Sequence, residues 1–474
     1  MGLKTKFFQE IKNEKDNILR DLKSIINIDT TLDKDSVDLK NHMPYGKNVR
    51  KGFNFIKKLA EDNGFYYYEY EGKAAIISYL PLQDKKDYQD TIMMATHIDT
   101  VPFHNDNWKF DPLSGEIENG FLYGRGAIDD KGPLIASFYT LKILKKLGIK
   151  SKYNFTLFIG GNEENGSDCA KSFFKAHKPP LIAFTPDCVF PLVAVEKSIT
   201  HVLITLSNVK TYIKDIKVYG AMNVVPGKCY VDIDVAKWQV DEWIDIFKEK
   251  NYFIKIRYEL LDNGLIRIYS IGKTAHGSAP QEGKNALTYL MSFLQSMKSD
   301  PLAHFIAGYF HEDHYGKSLE INYYDKLEEE LTISLNLCYF EKNNITLGLD
   351  IRHPSVQKKE NILSNLLFIL EKHFKNKPKL KFNHVPGYKI DDDNKFKQIF
   401  LNNYQKISGD YTSKPIVTGG GTYARSIPNC VAFGLLFPTE EGTEHKPNER
   451  ININNLLLSI EIFCNVVEEC GNLN

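Results

Sequence analysis

The chain has 474 residues, past the length at which a single hydrophobic core stops growing, so two domains are expected. Hydrophobic residues make up 42% and charged residues 25%, the balance of a globular protein able to bury a sizeable core. Lys+Arg and Asp+Glu both number 60, so charge argues for neither nucleic acid nor an anionic membrane as a partner.

The N-terminus, MGLKTKFFQEIKNEKDNILRDL, carries charge throughout and lacks the continuous apolar stretch of a secretory signal. No uninterrupted apolar run is long enough to span a bilayer. Phe7, Ile11, Ile18, Leu22, Ile25 and Ile26 recur at helical spacing and predict an amphipathic helix over 7–28. Apolar runs at 74–80 and 91–96 predict buried strands. A helix is predicted over 133–147, with Pro133 near its first turn and Gly148 at its end. Short strands at 153–160 and 181–185 continue a βαβ rhythm, which argues for an α/β sheet with helices on its faces.

From about residue 193 the texture changes. Alternating strands are predicted at 200–206, 214–219, 229–235, 265–272, 331–340 and 344–351, with helices at 240–248 and 285–296 among them. Helical signal returns at 394–407, followed by the turn-rich 419–421, an apolar strand at 430–437 and a helix near 454–467. The expected organisation is a first domain of residues 1–192 and 385–474, interrupted by an α+β domain at 193–384. The seven cysteines, at 169, 188, 229, 338, 430, 464 and 470, form no CxxC pair; that odd, unpatterned set fits free thiols in a reducing cytoplasm.

Five segments place metal-ligand side chains just after a predicted strand or in a turn, where open α/β sheets hold their ligands. In Thr96-His97-Ile98-Asp99, the His can bind a metal through one ring nitrogen while Asp99 fixes the other. In Gly124-Arg125-Gly126-Ala127-Ile128-Asp129-Asp130-Lys131-Gly132, glycines let the backbone approach a site closely; Asp130 also reads as a plain helix cap. Glu163 and Glu164 end an apolar strand and point to different sides, so one can ligate while the other stays free as a base. Asp187 follows Pro186 and also reads as a turn residue. His445, in Thr443-Glu444-His445-Lys446-Pro447, also reads as an exposed loop residue. Singly each is weak; together they supply the nitrogen and oxygen donors of a dinuclear zinc site with a bridging carboxylate.

The order H-x-D, D-D-K-G, E-E, D and a late E-H resembles the zinc-dependent aminoacylase and carboxypeptidase-G-type metallopeptidases, and within them the PepV-type bacterial dipeptidases. The similarity spans essentially the whole chain and is densest in DPLSGEIENGFLYGRGAIDDKGP (111–133) and GKTAHGSAPQEGKN (272–285). It implies a zinc-exopeptidase-like catalytic domain, a mixed sheet flanked by helices, with an inserted α+β lid domain. It further implies that His97, Asp129 and Asp187 hold one zinc and that Asp129, Glu164 and His445 hold the second, with Asp129 bridging. Manganese or cobalt would be accepted by the same donors. Asp99 would orient His97, Glu163 would be the general base, and the Asp129-Asp130 peptide would be cis. On the inserted domain, His276 resembles the family's carbonyl-polarising histidine and Asn223 the residue beside it. Arg352 matches the arginine that grips a substrate carboxylate, and Gly420 and Gly421 a glycine-rich loop lining the pocket. Asn162 before the Glu pair and Lys446-Pro447 after His445 depart from the common pattern, which bears on subsite detail.

The implied function is a cytoplasmic, monomeric di-zinc dipeptidase acting on small peptides, with no nucleic-acid or membrane partner. A deacylase acting on N-acyl amino acids shares the same metal site, and a non-catalytic peptide-binding protein on this scaffold is the alternative of a different class.

Overall fold

Thr91–His97 and Asn154–Gly160 are apolar runs buried almost throughout, the composition of strands covered on both faces. In the computed structural model, which describes residues 5–103, 107–236, 240, 241, 244, 255–391 and 394–473, these two strands lie parallel and adjacent. Ile182–Thr185 flanks Thr91–His97 in the same direction, and Cys430–Ala432 lies parallel beyond it. On the other side, Ala74–Ser78 runs antiparallel to Asn154–Gly160, and Tyr66–Tyr70 antiparallel to Ala74–Ser78. The parallel strands deliver their carboxyl ends to one edge of this mixed sheet, where residues 97, 161–164 and 186–187 follow.

Helices cover the sheet. Lys131–Lys146 packs on Thr91–His97 and Asn154–Gly160, and Ile453–Gly471 packs on it in turn, with Phe8–Ile26 and Lys395–Ser408 alongside. Sandwiched in this way, Lys131–Lys146 is buried on nearly every side rather than along one stripe. It starts before the predicted 133, because Pro133 is tolerated in a first turn. The strand predicted over 430–437 stops at Ala432: Gly434 turns the chain at φ +77°, against the Phe190 ring. Two helices fall where periodicity placed none, Gly46–Asp62 and Asp168–Ala176. The first buries Val49, Phe53, Ile56 and Ala60 at helical spacing, but Gly52 interrupts the stripe where Thr30 and Ile98 press close.

These elements belong to a unit comprising Met1–Ala194, Lys389–Ile416 and Gly421–Asn474; the second unit comprises Val195–Tyr388 and Val417–Gly420. Within the second, one four-stranded antiparallel sheet runs in the order Ile213–Tyr219, Lys228–Ile233, Ile266–Ile271, Lys255–Leu260. Another runs Thr332–Glu341, Asn344–His353, Ser198–Ser207, Lys379–Val385. Ala286–Met297 carries Leu287, Leu290, Phe293 and Leu294 into the core they share. Pro301–Phe310 and Lys359–His373 are further helices that periodicity did not place; the former is opened by Asp300, which accepts the Leu302 and Ala303 N–H groups. The helix expected over 240–248 lies outside the described residues except for Val240, Asp241 and Ile244, which are helical. No helix among the described residues is long and apolar enough to cross a membrane.

Candidate active site

His97 ends its strand fully buried. Its Nδ1 lies 3.0 Å from the Asp99 carbonyl oxygen, which can only accept, so a ring proton sits there and Nε2 is the nitrogen turned toward the carboxylates. That Nε2 is 3.0 Å from Asp129 Oδ1 and 3.4 Å from Asp187 Oδ2. The other Asp129 oxygen, Oδ2, is 2.9 Å from His445 Nε2, which is also 3.1 Å from both Glu164 oxygens. Two groups of ligand atoms result, His97–Asp129–Asp187 and Asp129–Glu164–His445, with Asp129 in both. The Asp129-Asp130 peptide is cis.

The neighbours of these side chains hold them by the main chain. The Asp99 carboxylate stands 3.4 Å from His97 Nδ1 but is chiefly occupied elsewhere: it accepts the N–H of Glu163 at 3.0 Å and of Glu164 at 3.1 Å. Asp130 stands at the start of the Lys131–Lys146 helix, yet its side chain caps nothing there. Its Oδ2 instead accepts the His97 N–H at 2.7 Å, which corrects the plain helix-cap reading. Glu163 is half-buried, belongs to neither ligand group, and accepts the Ser167 hydroxyl at 3.2 Å.

The electrostatics ask for positive charge. Burial and the Asp129 carboxylate push Glu164 up to about 7, and burial with Asp129 raises Asp187 as well. Burial opposes the charged form of His445, but Asp129 and Glu164 overrule it and carry that imidazole up to about 11. His97 is likewise drawn up, against its burial, by Asp129, Asp187 and Asp99. His97 Nε2 and Asp129 Oδ1, though 3.0 Å apart, are both buried without a hydrogen-bond partner. Unsatisfied donors of the imidazole and carboxylate type, in an excess of buried negative charge, fit divalent metal ions.

The profile of peptidase family M20/M25/M40 matches residues 93–469. The chain belongs to that family. A Staphylococcus saprophyticus protein named as a candidate dipeptidase, SSP1012, is 28% identical, the match covering 96% of this chain and 97% of its own. YtjP of Bacillus subtilis, also named as a candidate dipeptidase, is 29% identical over 97% and 98%. Among solved structures, human carnosine dipeptidase 1 superposes with a TM-score of 0.58 at 14% identity, covering 99% of this chain and 98% of its own. The dipeptidase Dug1p of Saccharomyces cerevisiae gives 0.57 at 15% identity, covering 98% of each chain. At such identities the likeness shows the fold, here an α/β peptidase domain carrying an inserted α+β domain.

In this M20/M25/M40 chain the inserted unit gathers most of the remaining residues singled out in the sequence. His276 is exposed at the end of the short strand Ala275–His276, antiparallel to Val224–Val225, with Nδ1 2.7 Å from Ser278 Oγ. The Asn223 carbonyl accepts the Gly277 N–H at 2.7 Å. Arg352 is buried and already committed: Nε and Nη2 donate to Asp350 at 2.7 and 2.9 Å, and Nη1 to the Gly419 carbonyl at 2.6 Å. Gly277 lies flat on that carboxylate, since a Cβ there would come within 2.1 Å of Asp350 Oδ2. Gly420 donates to Thr418 Oγ1 at 3.0 Å within the same unit, whereas Gly421 belongs to the first.

Two residues of the first unit escaped the sequence analysis. Tyr423 is fully buried, edge-on to the His97 ring at 6.2 Å, with its hydroxyl 3.2 Å from Cys169 Sγ. Gly160 makes room for it; a Cβ there would fall 1.9 Å from the Tyr423 hydroxyl. Glu449, also fully buried, pairs with Arg125. The one sequence signal for Glu449 is that cation, set inside a glycine-rich turn.

Proposed function

We propose that this protein is a metal-dependent dipeptidase that hydrolyses the peptide bond of dipeptides bearing a free C-terminal carboxylate. The observation that carries this is the pair of ligand groups sharing Asp129, with the unligated Glu163 beside them. His97, Asp129 and Asp187 would hold one ion and Asp129, Glu164 and His445 the other, zinc in the first instance and manganese or cobalt as substitutes. Bound there, divalent ions supply Lewis-acid activation of water and of the substrate carbonyl. Glu163 takes the proton of the attacking water and hands it to the leaving amine. Asp99 keeps Glu163 and Glu164 in register through their main-chain N–H groups, and orients His97 through its carbonyl.

For the inserted unit we assign His276 and Asn223 as donors to the developing oxyanion, a contribution of about 2.7–4 kcal/mol per donor. Arg352 would receive the substrate carboxylate, with Gly420 and Gly421 lining the pocket. The Asp350 fork sets the plane of its guanidinium in advance. The names of the relatives SSP1012, YtjP and Dug1p support a dipeptide substrate. Seven free cysteines support a reducing, cytoplasmic setting, and we take the chain to act there as a monomer.

The test is hydrolysis of Ala-Ala-type dipeptides by EDTA-stripped protein resupplied with zinc or manganese, beside Glu163→Ala. The expected result is metal-dependent cleavage by the wild type. Glu163→Ala should bind metal normally while its kcat falls about 10²–10⁴-fold, the usual share of a general base. Turnover of N-acyl amino acids with dipeptides untouched would replace the substrate class by the deacylase one.

A further inference from the structure

Glu449 is fully buried and takes no part in either ligand group. Its Oε1 accepts the main-chain N–H of Ile128 at 3.1 Å and of Asp129 at 3.2 Å. Its other oxygen pairs with Arg125, whose guanidinium lies over the Trp108 ring, 5.4 Å from the centroid. Its own carbonyl accepts the Gly124 N–H at 2.9 Å. Side chain and main chain together therefore grip the 124–129 turn that carries Asp129. Glu449 also follows His445 closely in sequence, in a loop closed by mutual hydrogen bonds between Thr443 Oγ1 and the Arg450 main chain at 3.2 and 3.3 Å.

We infer that Glu449 is a positioning residue that fixes Asp129 relative to His445, and so governs ion affinity at Asp129–Glu164–His445 more than at His97–Asp129–Asp187. This rests on the two-ion reading above. The asymmetry follows from what else holds each ligand. In the first group His97 is fixed by Asp130 and Asp99, and Asp187 follows its own strand, so only Asp129 depends on Glu449. In the second group Asp129 is held by it and His445 shares its short, Thr443–Arg450-closed loop. A carboxylate suits the place because two parallel amides need one acceptor oxygen while Arg125 needs the other; the pair keeps the buried charge compensated.

The test is a Co²⁺ titration of metal-free protein, followed by visible absorption and calorimetry, which reads binding without turnover. The wild type should take up two equivalents, and His445→Ala identifies which isotherm belongs to the second group. In Glu449→Ala that isotherm should weaken about 10- to 100-fold, the range for loss of a group that orients a ligand, while the other moves less than about threefold. Glu449→Gln keeps an oxygen for the two amides and should recover part of the loss. Equal weakening of both isotherms, or none, overturns the inference. If Glu449→Ala does not fold, Glu449→Gln decides alone by the same criterion. A wild type that binds fewer than two equivalents would instead sink the two-ion reading, and the inference with it.

Discussion

In the first unit, the carboxylates of Asp129, Glu164 and Asp187 crowd around His97 and His445, and buried atoms there are left without hydrogen-bond partners. In the second unit, Asp350 and Arg352 are as deeply buried, but their forks meet at 2.7 and 2.9 Å and the Gly419 carbonyl takes a further N–H. A buried charge is costly unless paired, so the two regions have answered the same physical demand differently. Arg352 has its counter-charge built into the chain, two residues away on the same strand. The carboxylates around Asp129 have only the His97 and His445 imidazoles beside them, which carry charge only when protonated, so a bound cation would complete their compensation. A cluster that leaves charge uncompensated is therefore a better guide to where a ligand binds than one that is neatly paired.

Stripping the metal should separate the two regions most sharply. Activity should vanish, and the first unit should lose the stabilisation that bound ions give, about 4 kcal/mol per ion at a thousandfold excess over its dissociation constant. Calorimetry with and without EDTA should show the transition of the first unit shifting while that of the second stays in place; a common shift would break the contrast. Asp350→Ala makes the reverse test. It leaves the buried Arg352 charge without its counter-charge, with only the Gly419 carbonyl as acceptor, and should destabilise the second unit by about 3–5 kcal/mol, with the Co²⁺ stoichiometry unchanged. Asp350→Asn, which keeps an acceptor oxygen, should cost less.

Glu14 supplies the smallest and most local effect. It lies 3.1 Å from Lys142 and 3.0 Å from Lys146. Burial pushes its pKa up, but the Asn17 amide and the two ammonium groups overrule it and hold it at about 2, against 4.5 ordinarily. Because the folded value lies below the unfolded one, the contribution is full above about 4.5 and fades as the pH falls toward 2. The difference in stability between wild type and Glu14→Gln should shrink across that window and be constant above it, as read by denaturant midpoints at several pH values.

The candidate ligand groups were legible in the sequence because their residues come just after short, continuously apolar strands or in glycine-marked turns, both of which are local signals. What holds the cluster was not. Glu449 meets Ile128 and Asp129 across 321 and 320 residues of chain, and no periodicity connects them. Asp130 shows the same limit from the other side: its position at a helix start predicts a cap, and only the folded sheet reveals that His97, 33 residues earlier, claims its carboxylate. Alternation in strands such as Ser198–Ser207 and Ile266–Ile271 was visible because every second residue there is only partly buried. The Gly46–Asp62 helix was obscured by a glycine that the close approach of Thr30 and Ile98 requires. Sequence spacing thus exposes the groups that would touch metal, and long-range packing hides those that keep them still.

The discontinuity of the first unit also sets a timetable for synthesis. Residues 195–388 leave the ribosome as one nearly self-sufficient stretch and can collapse while translation continues. His97, Asp129, Glu164 and Asp187 are already made by then, but they wait for His445, which follows Asp187 by roughly 10–50 s at usual elongation rates. For that interval the growing chain displays an acidic cradle lacking its last ligand. If the two groups hold ions as proposed, full ion loading is therefore an event of the finished chain.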